Sequence, residues 1–182
     1  PASAVYDGTE QKPTVTIARL TEGMDYTVSY IGDFTKAGEH TVTVTGKGNY
    51  EGTVTKTFTI EKAEQTDFAF AAVTKPYEKN GTFTLAAAGG AGSGAVLYRV
   101  PEKNGVLMVN GDMATIIGTG TVTVTVTKAE SDNYKAAMAT GTVTITKATA
   151  PAITYPTAGS ITYGQKLSDS ALTGGSTEYG TF

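Results

Sequence analysis

Apolar and polar residues alternate along two long stretches of the chain. Threonine occupies most of the polar positions, and most of the residues between threonines are valine, isoleucine or phenylalanine. A period of two residues predicts strands with one buried face and one solvent-facing side. Long helical periodicity appears nowhere, so we expect an all-β fold. The predicted buried positions are Val42, Val44, Phe58, Ile60, Val122, Val124, Val126, Val143 and Ile145.

The two stretches also share their order of features. Residues 41–63 and 121–148 each give a strand, a turn that carries Asn-Tyr, a second strand and then Lys-Ala. They begin about 80 residues apart, which suits tandem sandwich modules better than a solenoid, whose repeats span about 20–50 residues. We predict immunoglobulin-like β-sandwich modules at residues 1–63 and 64–148. Residues 149–182 begin in the same way but lack the repeated ending, and they are interpreted as a partial third module or a tail.

Further strands are predicted from shorter alternating runs and turn dipeptides. Asn110-Gly111 is the best candidate for a two-residue hairpin loop, because both residues tolerate positive φ. In the first module the predicted strands are an opening strand before Asp7-Gly8, a second through Val15 and Ile17, a third through Tyr26, Val28 and Tyr30, and a fourth at residues 37–46. In the second module strands are predicted within the segments 68–73, 82–100 and 105–117, ahead of the repeated hairpin.

Several segments together resemble the Ig-like repeats of bacterial cell-surface and adhesin-like proteins. VYDGTEQKP, LTEGMDYTVSY and GKGNYEGTVTKTFTI in the first module are similar to repeats with a Tyr-Asp-Gly opening from cell-wall proteins of Firmicutes. TFTLAAAGGAGSGAVLYRV, TKAESDNYKAA and ITYGQKLSDSALTGG resemble neighbouring repeat types of such proteins. The resemblance implies an extracellular stalk or adhesion role, on the bacterial surface or secreted, and it supplies no catalytic residues.

Composition narrows the possible partners and chemistry. The chain has 14 basic and 17 acidic residues, a net charge of −3 and no run of lysine or arginine, so nucleic acid is not an expected partner. Zero cysteines exclude disulfides and zinc-thiolate sites, and they favour a bacterial surface protein. No apolar stretch is long enough for a bilayer span and no secretory signal stands at Pro1, so the sequence is interpreted as a piece whose anchor lies elsewhere.

Three features are candidates for specific chemistry, and each has a plainer interpretation that we favour. His40 is the single histidine, and we expect an exposed residue at a strand entry rather than a catalytic base. Residues 90–95 fit a relaxed dinucleotide fingerprint, but a strand follows instead of a helix, which favours a loop between strands. The acidic residues near turns lack the spacing of a calcium loop, and turn formation explains them better. They are Asp7, Asp25, Asp33, Glu130 and Asp132.

The sequence therefore predicts no enzyme, cofactor or metal site, but a structural and adhesive module array. A first alternative is a module that binds polysaccharide or a host surface glycoprotein through exposed aromatics, with Tyr98, Tyr134 and Tyr50 as candidate ligand-binding residues. A second is an accessory domain of a secreted hydrolase. The chain is expected to be monomeric, without membrane insertion, and a dimer through sheet edges in residues 151–182 is a third possibility.

Overall fold

A computed structural model describes residues 3–177 and 180–181, and it is all-β apart from one short 3₁₀ helix at Leu167–Asp169. The chain divides into two compact units between Thr146 and Lys147. The strands are β1 (Ser3–Val5), β2 (Tyr26–Ile31), β3 (Gly38–Gly46), β4 (Thr53–Glu61), β5 (Val73–Pro76), β6 (Thr82–Thr84), β7 (Val96–Arg99), β8 (Leu107–Asn110), β9 (Met113–Ile116), β10 (Gly120–Lys128), β11 (Ala137–Thr146), β12 (Thr157–Ala158), β13 (Leu172–Thr173), β14 (Ser176–Thr177) and β15 (Gly180–Thr181).

The N-terminal region, residues 3–61, contains one four-stranded sheet in the order β1-β4-β3-β2. β1 runs parallel to β4, and the other pairs are antiparallel. One face of this sheet carries a small buried cluster of Phe34, Val42, Phe58 and Ile60. We call this the inner face.

The central region, residues 66–146, is a two-sheet sandwich. One sheet has the order β5-β11-β10-β7 and the other the order β6-β9-β8. Side chains from both sheets, including Leu85, Ile116, Val124 and Ile145, form a single buried cluster. The second, fourth and fifth strands of this region, β6, β8 and β9, share one sheet. The third, sixth and seventh, β7, β10 and β11, share the other, which is the immunoglobulin-like distribution.

The two regions repeat the same sheet topology. In each, the last strand pairs parallel with the first strand and antiparallel with the strand before it. The pair His40–Phe58 in the first sheet corresponds to the pair Val122–Val143 in the second. Two residues before Phe58 on β4 is Lys56, and two residues before Val143 on β11 is Gly141, so Lys56 and Gly141 occupy equivalent positions. The alternation predicted from the sequence is confirmed, because the nine predicted positions are buried except Val44, which is half-buried.

Two predicted strands are wrong. Val15 and Ile17 alternate like a strand, but their segment forms no ladder; it lies across the inner face, where the hydroxyls of Tyr26 and Tyr30 donate to the carbonyls of Val15 and Pro13. In the central region the predicted strand at residues 68–73 is displaced, since β5 begins at Val73 and the earlier part makes only an isolated bridge. A period of two shows that a segment is extended, but not that a partner lies beside it.

The hairpin between β8 and β9 is confirmed with a shift of one residue. Asn110 pairs with Met113, so the two loop residues are Gly111 and Asp112 rather than Asn110 and Gly111. Gly111 has φ +63° and Asp112 does not have a positive φ, the pattern of a type II′ turn, which requires glycine at its first central position.

The second unit, from Lys147 onward, has two short ladders, β12 with β13 and β14 with β15. No side chain among residues 147–177 is buried, and Tyr155, Tyr163 and Leu172 are largely exposed. That this unit is a partial third module, and that its edges pair with another chain, both stay predictions. Among the residues described, no helix has the length and apolar character needed to cross a membrane.

Candidate functional site

The connector between the two regions, residues 62–65, is hydrogen-bonded to the turn that joins β10 and β11. The amide of Ala63 donates to the carbonyl of Asn133 at 3.0 Å, and the amide of Lys135 donates to the carbonyl of Ala63 at 2.9 Å. Ala63 thereby forms a parallel β-bridge with Tyr134. The connector is thus a short strand added to the central region rather than a free linker.

Gln65 fixes the end of this connector. Its side chain is 7% exposed, and its Nε2 donates to the carbonyls of Lys135 at 2.7 Å and Ala129 at 3.2 Å. Its Oε1 accepts the amide of Gly92 at 3.2 Å. A buried amide side chain needs such partners to offset its desolvation, and here they come from two different loops. Gln65 therefore ties both loops to the connector.

The glycine-rich residues 90–95 form one of these loops, between β6 and β7, as the sequence predicted. Their role is close packing. A Cβ on Gly94 would lie 1.9 Å from the carbonyl oxygen of Ala129, and one on Gly92 would lie 2.6 Å from Oγ of Ser131. The buried Lys128 adds a hydrogen bond from Nζ to the carbonyl of Gly90 at 2.7 Å. The glycines let this loop reach the backbone beside the connector.

The N-terminal region contacts the same turn directly. The amide of Ala37 donates to Oδ1 of Asn133 at 3.0 Å. The rings of Tyr6 and Tyr134 meet edge to face, with centroids 5.4 Å apart, a favourable geometry for aromatic pairs. We call this set of contacts the junction: the connector, the turn at residues 129–135, the glycine loop, Tyr6 and Ala37. It joins the two regions through side chains as well as through the backbone.

Two ion pairs flank the connector, between Lys135 and Glu64 at 2.7 Å and between Lys62 and Glu130 at 3.2 Å. The pKa of Lys135 is raised above its ordinary value, chiefly because its side chain donates a hydrogen bond to Glu64. The negative charge of Glu64 raises the pKa further. Because water screens such exposed pairs, they contribute to the orientation of the connector more than to stability.

The three tyrosines predicted as ligand-binding residues lie in different surroundings. Tyr98 packs edge to face on Phe70, and its hydroxyl accepts the amide of Ala87 at 2.8 Å. Tyr134 belongs to the junction, whereas Tyr50 is 48% exposed on the turn between β3 and β4. Among the described rings, no two of these three are in contact. A sugar-binding surface built from them stays a prediction.

His40 is buried, so the expectation of an exposed residue is wrong. It is 7% exposed, its ring lies 4.6 Å from that of Phe34, and its Nε2 is 2.9 Å from the carbonyl oxygen of Lys36. The physical reason is the strand period: His40 precedes Val42 by two residues and shares its inner face. The side chain is part of the N-terminal core.

Three of the five acidic residues near turns, Asp7, Asp25 and Asp33, form local hydrogen bonds. Asp7 accepts the amide and hydroxyl of Thr9, and Asp33 accepts the same groups of Thr35. These bonds lower the pKa of Asp7 and bring that of Asp33 to about 2, with the threonine hydroxyl the largest cause at Asp33. Within the described residues, no three His, Cys, Asp or Glu side chains are grouped to hold a metal ion.

No protein-family model matches the chain, and no curated protein matches it. Among solved structures, 18 chains match. One is described as Protocadherin Gamma B2 extracellular cadherin domains 3-6, with 14% identity and a TM-score of 0.32, covering 66% of this chain and 35% of that chain. This chain thus spans about a third of that structure. The fold described above rests on strand order and buried clusters.

The junction was not predicted from the sequence, although one signal for it was present. The repeated Asn-Tyr turn predicts a hairpin, and the repeated Lys-Ala ending predicts a module boundary. In the structure the Lys-Ala ending of one region contacts the Asn-Tyr turn of the next: Ala63 bridges Tyr134. Residues that recur together at module ends are therefore candidates for contacts between modules.

Proposed function

We propose that the chain is a non-catalytic array of Ig-like modules that acts as a structural spacer in an adhesin-like protein of the bacterial surface. The observation that carries this proposal is the junction. Backbone hydrogen bonds, the buried Gln65 and the Tyr6–Tyr134 contact link two successive regions without a flexible linker. Restricting the hinge between modules keeps an array extended and holds a distal domain away from its anchor.

The threonine-rich outer faces suit this role. Thr55 on β4 and Thr140 on β11 are exposed, and cross-strand threonine pairs such as Thr121 with Thr144 bond through their hydroxyls at 2.9 Å. Polar, strand-compatible side chains keep long sheets in water without large apolar patches that would cause association. The resemblance to bacterial surface repeats supports the same interpretation and adds the extracellular location to the proposal.

Distance distributions between the two regions test the proposal. The natural chain has no cysteine, so Thr55→Cys and Thr140→Cys give two spin-label sites without background labelling. Pulsed electron paramagnetic resonance should give one narrow distance distribution. A broad distribution in this otherwise unchanged chain would contradict a stiff spacer.

A matched pair of variants shows whether the junction causes the stiffness. Changing Asn133→Ala and Tyr134→Ala together removes the side-chain contacts to the N-terminal region, and the distribution should broaden. Changing Asn49→Ala and Tyr50→Ala alters the equivalent turn of the other region, which lies outside the junction, and the distribution should stay narrow. Equal broadening by both pairs would indicate general destabilisation and would contradict a specific role for the junction.

A further inference from the structure

The inner face of the N-terminal sheet is partly uncovered. A groove of about 470 Å³ runs between residues 13–16 and strands β3 and β4, with Val42, Lys56 and Phe58 in its lining. A second cavity of about 360 Å³ lies further along the same sheet and includes Val44, Val54 and Tyr50. Val54 is on the inner face, yet it is 60% exposed. Apolar surface is therefore open at Val54, whereas Val42 and Phe58, 6% and 4% exposed, form the floor of the groove.

The central region shows what covers the corresponding surface. After the connector, the chain passes along the sheet, and Ala69 exchanges two backbone hydrogen bonds of 2.9 Å with Ala88. Phe70 is 5% exposed and its backbone lies against β11. A Cβ on Gly141 would lie 2.4 Å from the carbonyl oxygen of Phe70. Gly141 is the counterpart of Lys56, which lines the open groove. In the central region, residues 62–72 thus occupy the space that is open in the N-terminal region.

The N-terminal region retains the partners that such a segment would need. Among the described residues, the amides of Thr14, Val15 and Thr16 have no backbone acceptor, whereas the amide of Ala88 in the central region donates to the carbonyl of Ala69. Within residues 3–177 and 180–181, nothing bridges Tyr50 in the way that Ala63 bridges Tyr134. In the part of the chain that the structure describes, no strand pairs with the outer edge of β4 before Thr59. Open backbone edges beside an apolar groove favour addition of a strand.

We infer that the groove and the Asn49-Tyr50 turn form an acceptor site for an extended connecting segment of the kind seen at residues 62–72, supplied by another module of the same type. This inference rests on the proposed function, because the donor is a neighbouring module of an array. The donor passes the Asn49-Tyr50 turn, pairs with residues 14–16 and places an aromatic side chain against Val42 and Phe58.

Two residues at the acceptor site set its preference. Glu51 follows Tyr50 as Lys135 follows Tyr134, and Lys135 pairs with Glu64 of the connector. A connecting segment that binds the N-terminal region should therefore carry a basic residue at the position equivalent to Glu64, where it can pair with Glu51. Lys56 replaces Gly141, so its side chain has to move aside before a strand can approach the sheet as closely as Phe70 does.

Peptide titration tests the inference on the full chain. The probes are a synthetic peptide of residues 62–72 and the same peptide with Glu64→Lys. Binding is measured from the backbone amide shifts of the full chain in nuclear magnetic resonance. The Glu64→Lys peptide should bind about two- to five-fold more tightly, the range for one exposed ion pair. Shifts should occur at residues 14–16 and at Asn49 and Tyr50. In the chain carrying Glu51→Lys the preference should reverse.

Two controls make the result specific. A peptide with Phe70→Ala should lose most of its binding, and Lys56→Gly in the chain should tighten binding because it restores the clearance found at Gly141. Absence of binding by both peptides, or shifts confined to Asn133 and Tyr134 through exchange with the chain's own connector, would overturn the inference. Spin-label distances without peptide report only on the junction, so failure of the spacer proposal is observed separately.

Discussion

Removal of the Gln65 side chain should destabilise the first compact unit substantially. Gln65→Ala deletes three hydrogen bonds to backbone groups, and the side chain is 7% exposed. Each such bond contributes about 1 kcal/mol net, and buried groups left without partners add to the loss. We expect the free energy of unfolding to fall by about 2–4 kcal/mol.

Urea unfolding followed by far-ultraviolet circular dichroism measures this change. With an m-value of about 1.5 kcal/mol/M, the midpoint should fall by roughly 1–3 M while m stays constant. Gln165→Ala is the matched control, because Gln165 is exposed and its side chain accepts two hydrogen bonds from the exposed Thr162. This change should alter stability by less than about 0.5 kcal/mol. A loss at Gln65 no larger than that of the control would refute the reasoning.

Three further changes have defined outcomes. Gly94→Ala should cost about 1–3 kcal/mol in thermal or urea unfolding, because the new methyl group meets the carbonyl of Ala129; wild-type stability would disprove the close approach. Asn104→Ala should cost about 2–4 kcal/mol in the same assay, since its side chain makes four hydrogen bonds to nearby backbone, and a change below about 0.5 kcal/mol would contradict this role. Thr35→Val should raise the pKa of Asp33 from about 2 toward 3.8 in a carboxyl titration by nuclear magnetic resonance. The Asp33 bonds stabilise the fold fully above the unfolded-state pKa and lose this effect as the pH falls through about 2. The variant keeps the bonds from the backbone amide of residue 35 and from Lys36, so it should show a weaker acid dependence. An unchanged Asp33 pKa would exclude the threonine hydroxyl as its cause.

The long hairpins could be predicted from the sequence because their pattern is local. Most alternate residues of β3, β4, β10 and β11 are apolar, and a period of two allows only one set of buried positions. His40 was missed although the same rule places it beside Val42 on the inner face. A polar side chain at the start of a strand favours exposure. In the structure, however, the His40 ring packs on Phe34 and its Nε2 lies within hydrogen-bond distance of the carbonyl oxygen of Lys36.

The junction and the open groove could not be predicted in the same way, because both depend on which segments meet in space. Val15 has a strand pattern, yet its segment covers the sheet without pairing. Gln65 looks like any polar linker residue in the sequence, and its burial depends on loops from residues 92 and 129 that converge on it. Such contacts over long sequence separations leave no periodic signal.

The parallel pairing of the first and last strands in each region has a mechanical consequence. β1 lies parallel to β4, and β5 lies parallel to β11. A tension applied between the two ends of such a region acts in opposite directions along neighbouring strands, so the hydrogen bonds between them are loaded together in shear instead of being opened one at a time. Resistance to forced unfolding is governed by the unfolding rate rather than by equilibrium stability. A chain with modest cores can therefore resist pulling, because its terminal strands share the load.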